Sequence, residues 1–555
     1  MSLPSRRSLF LSCVLALGGC SGAEVDSIHV GGPAPTTVTA VEPPAPVQPF
    51  PVRPPVQVAE PEPEPEPPPE PAPDPEEIAR ARAEAEREAF EREFSWHGVA
   101  YHYLSQVHER ADSRSRVVGY MRRGAQLRAK SGLRGHGCAR GWHGVPGGGY
   151  VCRGAGFQLG STPQTFEPSP VLAATDNALP YAYAWVVRDD VPQYWHMPSR
   201  EEEAQAEAWI ERQREAERRA ADEVTAPDVD AAPEPDLEAP PGLEPGAVAT
   251  QEAAAEVVLP TIEDAGAGEP EPDERPSFLR MRMRRGFYVS IDRLETSGGR
   301  RFYRTIRGAY VPAGSVAENE PPSMRGVVLG GRWQLPVGFA YRGGVRSLSR
   351  APVGGALRLE EPVARNTPLP LSAEVITRRR RRYRVEDQGR IVAEDAMRIA
   401  RRIERPEQVG EDERWIHVDL VEQVVVAYQG DEPVFATMVS TGRAGFETPL
   451  GTYRIQSKHV STTMDDPDAG DESYSIEDVP WTMYFEGSYA LHAAFWHDRF
   501  GRPRSHGCVN LAPADARWLF MFSSPELPPG FHGMSAGRSA LGTWVHITGP
   551  EPEEG

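Results

Sequence analysis

Apolar and polar positions alternate most clearly near the C-terminal end of the chain. From Trp415, "WIHVDLVEQVVVAYQGDEPVFATMVSTG" reads as strands of period two around the turn "QGDE", a β-hairpin pattern. "TPLGTYRIQSKH", "VPWTMYFEGSYALHAAF" and "GTWVHITG" continue the strand-like texture, so residues 414–548 predict one mostly β domain. Residues 95–160 alternate short β-prone runs with Gly-rich turns and predict a small all-β unit. Two weaker echoes of strand, turn and strand fall in 276–405: "GFYVSIDRLETSGGRRFYRTIRGAYVPAGSV" and "PLPLSAEVITRRRRRYRVEDQGRIVAEDAMRIA". They predict one or two further small β modules. Two charged stretches, 76–94 and 200–224, are rich in the good helix formers Ala, Glu and Arg and predict helices. Their apolar residues are too small for a packed seam, so both are expected as solvated helices. The fold class expected is multidomain and mainly β.

Composition separates these units. The 56 prolines and 52 glycines cluster. "PEPEPEPPPEPAPDPEE" dominates a tether over 21–75 that has no apolar face to bury. At about 3.1 Å per residue, such a Pro-rich stretch spans on the order of 100 Å. A second Pro/Ala/Glu/Gly-rich linker follows the second helix, so 161–275 is expected to be charged helix and disordered linker. The net charge of −20 leaves no basic footprint for nucleic acid. The run Arg378–Arg382 reads as a solvated hairpin.

The N-terminus carries an address. "MSLPSRRSLFLSCVLALGGC" has a basic start and an apolar run too short to span a bilayer. Small residues before Cys20 resemble a bacterial lipoprotein signal, 1–20, which implies acylation of Cys20 and a membrane anchor by acyl burial. The resemblance implies an exported, periplasm-facing lipoprotein; Ser21 does not demand retention at an inner membrane, so the outer membrane is the expected position in a two-membrane cell, though no motif selects it. Of the five cysteines, Cys13 leaves with the signal. Cys138 and Cys152 lie close enough to pair in an oxidising compartment. A loop of that size stabilises by about 3 kcal/mol in the chain-entropy view. Cys508 remains, an unpaired thiol that must be buried or used.

Cys508 sits in "ALHAAFWHDRFGRPRSHGCVNLAP". A thiol of pKa about 8.5 is a few per cent thiolate at neutral pH, and a neighbouring imidazole is a natural acceptor for its proton. Gly507 has no side chain to obstruct a carbonyl, and the N–H groups of Gly507 and Cys508 are candidates to face a developing oxyanion. The string "SHGCVN", preceded by "YALH" and by "TPLGTY", resembles the L,D-transpeptidase (YkuD-like) catalytic domain over 414–548. That resemblance implies Cys508 as nucleophile, His492 as general base and the Ala493 carbonyl as the group that orients the imidazole. It implies loop roles for Ser505, His506, Gly507 and Asn510, and a substrate groove near Tyr484 and Arg504. It implies peptidoglycan stem peptides as substrate and no cofactor. The Ala-Ala that follows His492 departs from the Gly or Ser common in the family. Within 95–160, "VHERADSRSRVVGYMRRG" and "GWHGVPGGGYVC" resemble bacterial SH3-like barrels, with Trp142 and Tyr150 expected in the core.

Three other readings use the same residues. A zinc site would take His492, His497, Asp498 and Cys508, legitimate ligands at a spacing that matches no metal pattern. A structural thiol would sit in an apolar strand, whereas Cys508 lies between Gly-rich polar turns. A non-catalytic wall-binding lipoprotein would not require an intact His…SHGCVN. His497 is expected to be a bystander. The acceptor of the acyl group, whether a second stem, a protein amine or water, is not encoded in any motif, and neither is the oligomeric state.

Overall fold

The computed structural model describes residues 74–166, 169–225, 274–350, 356–466, 474–538 and 540–550. The signal, Cys20, most of the tether and the linker from 226 to 273 lie outside them. The described chain is mainly β, with three α-helices, at Pro75–Glu93, Arg200–Thr225 and Pro513–Phe522. Asp74 caps the first helix by accepting from the Glu76 N–H at 3.0 Å.

Seven short strands between Trp96 and Gly160 enclose a core that includes Val107, Met121, Leu127, Val151 and Phe157. Cys138 and Cys152 form a disulfide. Trp142 is buried in this unit with its indole N–H on the His136 carbonyl, while Tyr150 is half-buried.

The next module differs from the expected boundaries. Strands Ala182–Val186 and Val191–Tyr194, placed by sequence in helix and linker, pair with Tyr288–Ser297 and Leu279–Met283 respectively. Their partners lie beyond the second linker, so no local pattern joins them. The helix between them is not wholly solvated either. Ala206, Trp209 and Ile210, at helical i, i+3, i+4 spacing, pack on Tyr194, Leu279 and Phe302. Its polar flank pairs with the same module: Arg300 with Glu203, Arg214 and Arg282 with Asp190, and Arg282 with Glu217.

A third β unit runs from Val337 to Ala400 around Val345, Val363, Leu369, Val392 and Ile399. Apart from Val327–Val328, which joins the sheet of the C-terminal domain, the region 276–405 thus holds strands of two modules. Each repeats a strand, a 3-10 turn and a strand, at Tyr310–Glu318 and at Ile391–Ala400. The arginine run is a hairpin: Pro368–Arg378 pairs with Arg381–Glu386, and Arg379 and Arg380 turn the chain at φ 49° and 66°.

The C-terminal domain is two packed sheets. One has the order Val327–Val328, Glu432–Met438, Val424–Gln429, Arg414–Asp419, Trp544–Thr548, Gly451–Arg454. Its Ile416, Val418, Val425 and Ala427 face Trp481, Met483, Leu491 and Val509 of the other sheet, together with Leu519 and Phe520 of the last helix. Its opposite face, with Trp415, Val424, Val426 and Tyr428, is covered by Met324, Val337, Phe339 and Ala400. That double burial explains why Val424–Tyr428 is apolar at every position. Lys458 is buried and donates to the Phe520 and Ser523 carbonyls, which satisfies the open end of the Pro513–Phe522 helix.

Candidate active site

The site grows from one register. Strand Tyr489–Ala493 pairs in parallel with Val509–Leu511, matching Leu491 to Val509, His492 to Asn510 and Ala493 to Leu511. Leu491, Ala493, Val509 and Leu511 turn into the core between the sheets. Because strand side chains alternate, His492, Asn510 and the preceding Cys508 fall on the opposite face. There a pocket of about 510 Å³ opens, lined by both Cys508 and His492. Ser505, His506, Asn510, Tyr484 and Arg504 line it too, so most sequence-predicted site residues meet in one place.

The loop before Cys508 is held by its own short side chains. Ser505 Oγ donates to the Cys508 carbonyl at 2.6 Å and accepts from the Gly507 N–H at 3.1 Å. The Gly507 N–H expected to face an oxyanion is therefore already engaged inside the loop, because Ser505 lies two residues back in a tight turn. Gly507 itself adopts φ 109°, and a Cβ there would stand 2.4 Å from the Tyr489 ring, so only glycine fits. Thr448, from "TPLGTY", anchors the loop from outside. Its Oγ1 accepts from the Gly442 N–H and donates to the Gly507 carbonyl, at 2.9 and 2.8 Å.

His492 is buried, and its Nδ1 lies 3.2 Å from the Ala493 carbonyl. A carbonyl only accepts, so Nδ1 carries the proton and Nε2 keeps the lone pair. Burial lowers the imidazole to about 4. Burial pushes the Cys508 thiol up to about 11, against the opposing influence of the Ala490 N–H. The resting pair is thus neutral thiol and neutral imidazole rather than thiolate and imidazolium.

His497 is part of the site rather than a bystander. It lines the pocket, its Nε2 is 3.2 Å from the Asn510 amide, and burial lowers it to about 4. His506 stacks on Tyr474 at 5.4 Å, meets the Phe446 ring edge-on and lies 3.1 Å from an Arg443 guanidinium nitrogen. Tyr484 is raised to about 12, by burial first and then by the nearby Cys508. Sequence reasoning passed over Trp496, which stacks on His492 at 5.8 Å although it stands inside the motif stretch. It also passed over Tyr474 and Tyr288 in the pocket wall, for which no motif signal exists.

Among curated proteins, none matches the chain. Similar solved structures include an L,D-transpeptidase of Enterococcus faecium, 20% identical over 24% of this chain and 50% of that one, with TM-score 0.20. An L,D-transpeptidase of Mycobacterium smegmatis is 17% identical over 40% of this chain and 100% of that one, with TM-score 0.21. L,D-transpeptidase 3 of Mycobacterium tuberculosis is 14% identical over 37% and 81%, with TM-score 0.21. The chain spans half the length of the Enterococcus protein. Residues 413–547 match the family of L,D-transpeptidase catalytic domains, YkuD. Over those residues the chain is similar to L,D-transpeptidase catalytic domains.

Proposed function

We propose that this protein is a cysteine-dependent peptidoglycan L,D-transpeptidase. The observation that carries the reading is Cys508 and His492 on one face of a parallel strand pair, sharing one pocket, with the imidazole oriented by the Ala493 carbonyl. In this reading Cys508 Sγ attacks the carbonyl that precedes the terminal D-alanine of a tetrapeptide stem. The S–H proton passes to His492 Nε2 as the C–S bond forms, since neither group is ionised beforehand. Collapse of the tetrahedral intermediate breaks the C–N bond, and the imidazolium returns its proton to the departing amine. An amine of a second stem then attacks the thioester, loses its proton to His492 and releases Cys508 as the thiol. Water in that step makes the enzyme a carboxypeptidase, and a protein amine makes it an attachment enzyme. We further propose that Cys20 carries the lipid that holds the protein at the periplasmic side of the outer membrane.

Mass spectrometry of muropeptides after incubation with the purified protein tests the reading. New cross-links, trimmed stems or peptide attachments identify the acceptor, and all are expected to vanish in Cys508→Ala. Turnover retained by a folded Cys508→Ala variant ends the thiol mechanism.

A further inference from the structure

The pocket around Cys508 is not built by residues 413–547 alone. Gly286 and Tyr288, from the module that includes Leu279–Glu318, form part of its wall. The Tyr288 strand pairs in parallel with Tyr474–Glu486 at Ile476. The next two residues of that strand are gripped from the same module. Glu477 takes Arg280 and Gln193, and Asp478 takes the Ser290 hydroxyl on its carboxylate and the Tyr183 hydroxyl on its carbonyl. Tyr288 is therefore fixed relative to the catalytic sheet at three successive positions.

From there a chain of rings leads to the imidazole. Tyr288 meets Phe495 edge-on, with centroids 5.4 Å apart, and lies 6.4 Å from Trp496. Phe495 and Trp496 meet at 5.1 Å, and Trp496 stacks on His492. Phe495 also packs on Tyr183, a second ring from the module, at 4.1 Å. His492 donates one hydrogen bond from Nδ1 to the Ala493 carbonyl, so its tilt about that bond is set by the ring against its face.

We propose that Tyr288 is a positioning residue: through Phe495 and Trp496 it holds the His492 imidazole, so the upstream module completes the catalytic site. This rests on the reading of Cys508 and His492 as the reacting pair. Tyr288 lies outside residues 413–547, which match the family.

The test compares Tyr288→Ala, Tyr288→Leu and Tyr288→Phe in the full protein. Three readouts are used: kcat and KM on a tetrapeptide stem, the pH profile of Cys508 alkylation by iodoacetamide, and the melting temperature. Displacement of a catalytic group by about 1 Å costs on the order of 100-fold. Tyr288→Ala and Tyr288→Leu are expected to lower kcat by at least about tenfold, a tenth of that range, and to shift the alkylation profile. Tyr288→Phe keeps the ring and is expected to restore both. If Tyr288→Ala does not fold, the Leu and Phe pair carries the comparison. Unchanged kcat and alkylation in a folded Leu variant, or loss in Phe equal to that in Leu, overturns the proposal. If the wild type shows no turnover, the function has failed; the alkylation profiles then still decide the positioning of His492.

Discussion

Arg122 of the N-terminal β unit and Asp478 of the strand Tyr474–Glu486 form a buried ion pair at 2.6 Å. Asp478 is fully buried and Arg122 only 7 % exposed. Ser461 donates to the same carboxylate at 3.0 Å, Ser290 donates to its other oxygen, and the Tyr103 ring faces the guanidinium at 4.7 Å. Three modules thus meet on one carboxylate, which the guanidinium holds below the usual range despite burial.

Breaking this pair strands a buried charge, a loss of about 3–5 kcal/mol. Arg122→Ala is expected to destabilise the protein by that order in urea unfolding. Adding Asp478→Leu to Arg122→Met is expected to recover part of the loss, since no charge remains unpaired. Equal losses in the single and double variants would contradict the pairing.

The neutral resting state of Cys508 and His492 has a kinetic signature. Without substrate, the alkylation rate of Cys508 is expected to climb with pH toward about 11, with no plateau near neutrality. A plateau between pH 5 and 8 would indicate a preformed thiolate–imidazolium pair instead.

Gly507→Ala puts a Cβ where φ is 109° and the Tyr489 ring is 2.4 Å away. Backbone strain of this kind costs about 1–3 kcal/mol. Because the displaced atoms adjoin Cys508, a loss of at least about 100-fold in kcat/KM is expected, with a lower melting temperature. Activity near wild type would mean that the loop conformation is not the reactive one.

Burial lowers His417, His459, His492 and His497 each to about 4, and His532 well below its ordinary value. The fold therefore holds these rings neutral, while the unfolded chain takes up protons from about pH 6.5. Stability is present above that pH and is lost as pH falls toward 4. Lowered Asp478 adds to the loss at still lower pH. Melting temperature measured from pH 7.5 to 4.5 is expected to drop by more than about 10 °C. A flat profile would show that these histidines are hydrated in the folded protein.

Where chemistry was local, it could be read from the letters. "SHGCVN" contains the loop that Ser505 closes on itself, and "YALHA" is the strand that carries His492. The turn at Arg379–Arg380 and the "QGDE" hairpin were legible for the same reason, as both follow from neighbouring positions. Val191–Tyr194 had no visible partner, because its strand neighbour Leu279–Met283 comes after a helix and a linker. Tyr288 carried no motif and reached the pocket only through a strand pairing with Ile476.

Period and turn residues thus establish a β-rich chain, because they act within a few residues, and the resemblance carried by "SHGCVN" and "YALH" implies the pairing of Cys508 with His492. The protonation of that pair, the engagement of the Gly507 N–H and the meeting of three modules on Asp478 are tertiary results. Each depends on which distant segments exclude water from a group and which supply its hydrogen bonds, and short-range pattern does not encode either.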